Sequence, residues 1–249
     1  MIRLVDNKEE LYRALGNTAD IFAGKIRAYA EGYGFEYYFC SFWVQDGSAV
    51  ICAYYNDAVA AQTGELSDEA AEELTMFLSG QSFARVLMPD SLCGRLGLAE
   101  QAEELCLMEW ANDVKKPVEY DKEAVKTNSS LIQIYEIVSS AFDIDFEKWY
   151  TDTSYMLRHG ISEVYTLENS ACAIKMYSSE GVTYLSYVCV KPECRGRGLA
   201  HALLHYICTD ETARGDRTFI ICEEELTGFY ESAGFTKTGR VFEMSQYAK

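Results

Sequence analysis

The residue types best suited to chemistry sit together in Lys191-Pro192-Glu193-Cys194-Arg195-Gly196-Arg197-Gly198-Leu199-Ala200, where two glycines and two arginines separate an apolar run from a helical pattern. The first N–H groups of a helix have no acceptor within it, and glycine lets a ligand come close to them. Arg195 and Arg197 add positive charge, so the stretch reads as a site for an anion such as a diphosphate. A P-loop requires G-x-x-x-x-G-K-[ST], and neither the lysine nor the hydroxyl residue is present. A dinucleotide fingerprint requires G-x-G-x-x-G opening directly from a strand. Gly196 and Gly198 supply its first half, but His201 holds the third glycine position and Lys191 to Arg195 intervene.

Other reactive residues point elsewhere. His201 and His205 are four apart, a metal-ligand spacing, yet no glutamate follows His201 and no third ligand is evident. The nine cysteines are scattered without a C-x-x-C pair, mostly within apolar runs such as SYVCV and FIICE. They read as small buried hydrophobes in a reduced compartment. Asp and Glu number 39 against 22 Lys and Arg, a formal charge of -17, with -11 of it over residues 1–120. Such a surface repels phosphate backbones and anionic membranes, so neither a nucleic acid nor a lipid partner is expected. The opening MIRLVDNKEELY has no apolar secretion signal and no run is long enough to span a bilayer, which makes a cytoplasmic protein the expectation.

The stretch Leu185 to Ala200 resembles the acyl-CoA motif of the GCN5-related N-acetyltransferase (GNAT) family, [QR]-x-x-G-x-[GA], with Arg195, Gly198 and Ala200 at its three specified places. The context agrees: a strand ending in V-x-P, a long helix, the strand to Cys222, and Phe229-Tyr230-Glu231-Ser232-Ala233-Gly234-Phe235 follow the family's order over about Ser129 to Lys249.

This resemblance implies a mixed α/β fold, a mostly antiparallel sheet flanked by helices, with two splayed central parallel strands, Thr183 to Val190 and Thr218 to Cys222. It implies acetyl-CoA as co-substrate, with its pantetheine arm against Val188, Cys189 and Val190. The pyrophosphate would lie on the amides of Arg195, Gly196, Arg197, Gly198, Leu199 and Ala200. Tyr230 is then placed to protonate the leaving thiolate. For the base, Glu223 and Glu224 are the nearest carboxylates by sequence, with Tyr184, Ser186 or Tyr187 as water-holding alternatives. Glu223 stands where the family usually has an asparagine, seven residues before the tyrosine, and a carboxylate there favours a cationic amine. The implied reaction is direct acetyl transfer to a primary amine of a small molecule or peptide. The alternative is a non-catalytic CoA-binding regulatory or scaffold protein.

The elements that must position these residues follow from periodicity and turn signals. Helices are expected over 8–31, 67–78, 129–141, 145–158, 199–213 and 226–233. Strands are expected over 36–44, 49–55, 84–88, 104–110, 163–167, 171–177, 183–190, 218–222 and 240–245. A polar stretch from Ala111 to Asp121, containing Lys115-Lys116-Pro117, reads as a linker. The expected domains are therefore 1–115 and 120–249. Gly94-Arg95-Leu96-Gly97-Leu98 followed by Glu104 to Trp110 echoes Ser232 to Phe235 followed by Val241 to Tyr247. That echo suggests a tandem, with the first domain a degenerate copy. Its matching loop, Ala60 to Ser67, offers only Gly64 beside Glu65, so no CoA is expected there.

Overall fold

The computed structural model describes residues 1–114 and 120–245, and these form two compact units. One comprises Met1–Leu107 with Gly239 onward, and the other Met108–Thr238.

The first half of the chain runs β1 (Ile2–Val5), α1 (Lys8–Leu15), α2 (Ile21–Gly32), β2 (Cys40–Gln45), β3 (Ala49–Tyr54), β4 (Asp57–Gln62), α3 (Asp68–Gly80), β5 (Arg85–Pro89), α4 (Asp90–Leu96) and β6 (Ala102–Trp110). The second half runs β7 (Val125–Thr127), α5 (Leu131–Val138), α6 (Phe146–Arg158), β8 (Glu163–Leu167), β9 (Ala171–Ser179), β10 (Val182–Val190), α7 (Leu199–Arg214), β11 (Arg217–Cys222), α8 (Thr227–Ser232) and β12 (Phe235–Ser245). Short 3-10 turns aside, the order of strands and helices is the same in both halves.

In the first unit β1 to β4 pair antiparallel in sequence order, and β4 then pairs parallel with β5. Val241 to Ser245 of β12 close this unit by pairing antiparallel with β5. The apolar face of α3 (Ala71, Leu74, Leu78) packs with Ile51, Val86, Met88 and Phe242 in one buried core. The expected helix over 8–31 is two helices. Asp20 caps the second by accepting from the Phe22 and Ala23 amides at 2.9 and 2.8 Å, after Gly16 turns the chain at φ +54°. The strand expected over 36–44 begins only at Cys40.

In the second unit β7 to β10 pair antiparallel, and β10 pairs parallel with β11. Helices α5 and α6 bury Ile134, Ile137, Val138 and Trp149 with Val164, Cys172, Ile174 and Cys189. The mixed, mostly antiparallel sheet flanked by helices is the fold expected from the sequence. The units differ from the expected division at both ends: residues 108–114, expected in the first domain, count with the second unit, and residues from Gly239, expected in the second domain, count with the first, where β12 pairs with β5. The Lys115-Lys116-Pro117 break and the end of the echo at Tyr247 lie outside the described residues.

Candidate functional site

The sheet of the second unit opens where the parallel pair ends. Pairing between β10 and β11 runs from Val182/Arg217 to Leu185/Ile220 and stops, while β10 continues to Val190. On its other edge β10 is still paired with β9 at Cys189/Cys172 and Val190/Ala171. A bulge lies between Ser186 and Cys189, and Tyr187 there takes φ +50°, in the left-handed region. A bulge bends its strand and sharpens the twist. The β10 edge from Ser186 to Val190 thus diverges from β11, with which its pairing has ended.

Past β10, Lys191 N–H donates to the Ser170 carbonyl at 2.8 Å, and a short 3-10 turn leads to Arg195. Gly196 and Gly198 follow at φ +77° and +78°, a region L side chains rarely adopt. Gly198 is the N-cap of α7, the 16-residue helix, with no side-chain cap and no acidic residue in the first turn. The contrast with α1, α2, α3 and α6 is direct, since Asn7, Asp20, Ser67 and Asp145 each place a side-chain oxygen on an amide there. The start of α7 therefore presents its N–H groups, and the positive end of its dipole, to whatever lies before it.

What lies before it is a cavity of ≈ 600 Å³. Its lining includes Val188, Cys189, Val190, Arg195, Gly196, Gly198, Leu199, Ala200 and Tyr230, all singled out from the sequence. Arg197 does not line it: its guanidinium pairs with Glu168 at 2.7 Å. Arg195 folds back so that Nε donates to the Val190 carbonyl at 3.3 Å. His201 Nε2 is 2.8 Å from Ser232 Oγ, which itself donates to the Phe229 carbonyl. This link joins the start of α7 to α8. The remaining wall comes from His201, Cys194 and Phe229, within or beside the quoted motif stretches, and from Ala141 and Leu226, apolar positions that carry no motif signal.

Tyr230 is 7 % exposed and packs edge-on to Phe229 and Phe235. Burial, reinforced by Cys222, Tyr184 and Cys189 nearby, pushes its phenol well above the usual value near 10. It stays protonated throughout the neutral range. Glu223 and Glu224 do not line the cavity: both are exposed just beyond β11, and Glu224 pairs with Lys237 at 2.7 Å. Among the water-holding alternatives, Tyr184 lies 5.6 Å ring to ring from Tyr177, and Tyr187 packs against Phe142. His205 faces Trp110 and Tyr120, and among the described residues no group of three metal-ligating side chains exists. No helix among them is long and apolar enough to cross a membrane.

A splayed parallel pair, an uncapped helix start and a protonated phenol around one cavity define an α/β domain suited to hold an extended anionic ligand. Residues 150–247 match the family model for the acetyltransferase (GNAT) domain, and the chain carries a domain of that family over this segment. No curated protein matches the chain by sequence. Solved structures show the same fold at low identity. A GCN5-related N-acetyltransferase from Kribbella flavida is 13% identical over 93% of this chain and 98% of its own, with a TM-score of 0.60. A GNAT-family acetyltransferase from Colwellia psychrerythraea is 12% identical over 98% of this chain and 99% of its own, with a TM-score of 0.58. A GCN5-related glucosamine N-acetyltransferase region of a fungal multi-domain beta-N-acetylglucosaminidase is 14% identical, covering 98% of this chain and 38% of that one, with a TM-score of 0.57.

Proposed function

We propose that the chain is an acetyl-CoA-dependent N-acetyltransferase that moves the acetyl group directly to a primary amine, with the second unit catalytic. The observation that carries this reading is the cavity itself, bounded by the open β10 edge, the uncapped start of α7 and the buried phenol of Tyr230, within a segment that matches the GNAT domain. The N–H groups of Gly196 to Ala200 hold the diphosphate, with Arg195 beside it. The β10 edge from Val188 to Val190, no longer paired with β11, takes the amides of the pantetheine arm as an added strand would. Collapse of the tetrahedral intermediate expels the thiolate, and Tyr230 supplies its proton. The acceptor amine must reach the thioester uncharged, and Glu223 is the carboxylate proposed to attract it as a cation at the edge of the site.

One observation favours the second reading, a CoA-binding protein without turnover: none of the residues lining the cavity is a carboxylate, and Glu224 is held by Lys237. A thiol-release assay with acetyl-CoA across polyamines, aminoglycosides, amino sugars, amino acids and peptides separates the two. Amino sugars join the panel because of the fungal neighbour's activity. Acyl transfer predicts saturable release with at least one amine class. Saturable CoA binding without release on any of them would establish the second reading.

A further inference from the structure

Cys172 on β9 and Cys189 on β10 are direct partners in the strand register, and their Sγ atoms lie 3.3 Å apart. Both are buried. The bulge frames this approach, because the carbonyl of Tyr187 accepts from both thiols at 3.5 Å. Facing antiparallel residues have Cα atoms within the span that a disulfide bridges, and closing the S–S bond requires the sulfurs to approach by only about 1.2 Å. Cys189 also lines the cavity. So does Ala141, four residues beyond Ile137, whose carbonyl lies 3.7 Å from Cys189 Sγ. The cavity thus borders the helix-facing side of this thiol pair.

We propose that Cys172 and Cys189 form a dithiol site that reduces low-mass disulfides of the CoA type, admitted through the cavity, and closes to an intrachain disulfide. The class of disulfide rests on the CoA reading of the cavity, whereas the pairing of the two thiols does not. In the first step the Cys189 thiolate attacks one sulfur of CoA disulfide. A Cys189–CoA bond forms, the CoA S–S bond breaks, and one CoA thiolate leaves and takes up the proton that Cys189 gave away. Cys172 then loses its proton and attacks Cys189 Sγ, forming the intrachain bond and expelling the second CoA, which is protonated in turn. The protein dithiol loses two electrons and one CoA disulfide becomes two CoA thiols. The hydrogen bond with Cys189, together with burial, holds the Cys172 thiol above its usual range, so its deprotonation limits the second step, which proximity to Cys189 Sγ makes intramolecular. Cys194, half-buried on the loop, also lines the cavity and is the competing thiol.

The test treats the full chain with CoA disulfide, and in parallel with hydrogen peroxide, then alkylates and maps the peptides. The expected result is a Cys172–Cys189 cross-link with two CoA thiols released per chain, and in Cys172→Ala a stable CoA adduct on Cys189. An adduct confined to Cys194, or Cys172 and Cys189 left as free thiols, overturns the proposal. Calorimetric titration of the same sample with CoA separates the two readings. Binding heat without a cross-link overturns the dithiol site and leaves the cavity reading standing. A peroxide cross-link with neither CoA heat nor reaction with CoA disulfide overturns the cavity reading, and the proposed disulfide class falls with it.

Discussion

Lys175 Nζ lies 3.0 Å from Glu211 Oε1, tying β9 to the helix whose first turn forms the anion loop. The same ammonium is 2.9 Å from Glu163 Oε2, and Thr183 Oγ1 donates to Glu211 Oε2 at 2.7 Å. Glu211 is wholly buried, so its charge depends on these partners and on Arg214, whose Nη1 lies 3.3 Å from Oε1. The position of Arg195 to Ala200 against the splay is therefore set from beneath α7 as well as by the loop.

Replacing Lys175 with Met leaves the buried Glu211 carboxylate with the exposed Arg214 guanidinium, 3.3 Å away, as its remaining cationic partner. Breaking a buried pair from one side costs about 3–5 kcal/mol, far more than removing both charges together. Urea unfolding followed by the second unit's tryptophans should show that loss for Lys175→Met. The double variant Lys175→Met/Glu211→Leu should recover most of it. Equal losses in single and double variants would show that packing volume, not the ion pair, matters there.

The same cluster gives a pH window. Burial alone would raise Glu163, but hydrogen bonds from Tyr165 and Lys175 outweigh it and hold the carboxyl below its ordinary 4.5. Burial would lower Lys175, but Glu163 and Glu211 hold it above its ordinary 10.5. A depressed carboxylate stabilises the fold above 4.5 and loses its contribution as pH falls through the folded value. A raised lysine stabilises it below 10.5 and loses its contribution as pH rises beyond. The cluster's contribution should be flat between about pH 5 and 10 and fall at both ends. The double variant should have a shallower acid limb in a thermal-melt series from acid to alkaline buffer.

Much of the site was legible because it is local. The run Lys191 to Ala200 holds both positive-φ glycines and the uncapped helix start within ten residues, and the strand and helix around it have clear periods. What escaped depends on distant partners. β4, Asp-Ala-Val-Ala-Ala-Gln, has one β-branched residue, and its four central residues are all buried, so it shows no alternation to read. β7 is three residues long and is held by register with β8. The return of β12 to β5 leaves no local trace, because an antiparallel strand reads the same whichever neighbour it joins. Glu223 and Glu224 were near by sequence, but the turn after Cys222 carries them to exposed positions outside the cavity wall.

Tyr230→Phe removes the phenol proton and keeps the ring's packing on Phe229 and Phe235. If the hydroxyl serves the leaving thiolate, kcat should fall about 10²–10⁴-fold while KM for acetyl-CoA holds. Steady-state kinetics on any accepted amine checks this. A raised KM with unchanged kcat would assign the tyrosine to binding alone.

Gly198 caps α7 at φ +78°, where a β-branched side chain is strained by about 1–2 kcal/mol and also faces the cavity. Gly198→Val should weaken CoA binding by more than about tenfold, and Gly198→Ala by less. Calorimetry reads both, with circular dichroism confirming that the helix persists. Unaltered affinity in a folded Gly198→Val protein would place the diphosphate elsewhere.

The full chain should bind one CoA rather than two, although its halves share an element order. In the first unit the helix after the parallel strand is α3, and Ser67 Oγ already accepts the Ala70 amide, with Asp68 and Glu69 in the first turn. The Thr63 and Gly64 amides donate to the Ser48 carbonyl at 2.9 and 3.3 Å, and Arg95 Nε donates to the Leu66 carbonyl while pairing with Asp68. The Ala70, Thr63 and Gly64 amides are thus already engaged, Asp68 and Glu69 carry the sign of an incoming diphosphate, and the nearby Arg95 is held by Leu66 and Asp68. Because the first unit is closed by Val241 to Ser245, a fragment ending near residue 115 lacks a strand, and the measurement belongs on the whole protein. Titration calorimetry should give a stoichiometry of one, with that single site weakened by Gly198→Val. A second binding event that survives this substitution would show that the first unit binds CoA as well.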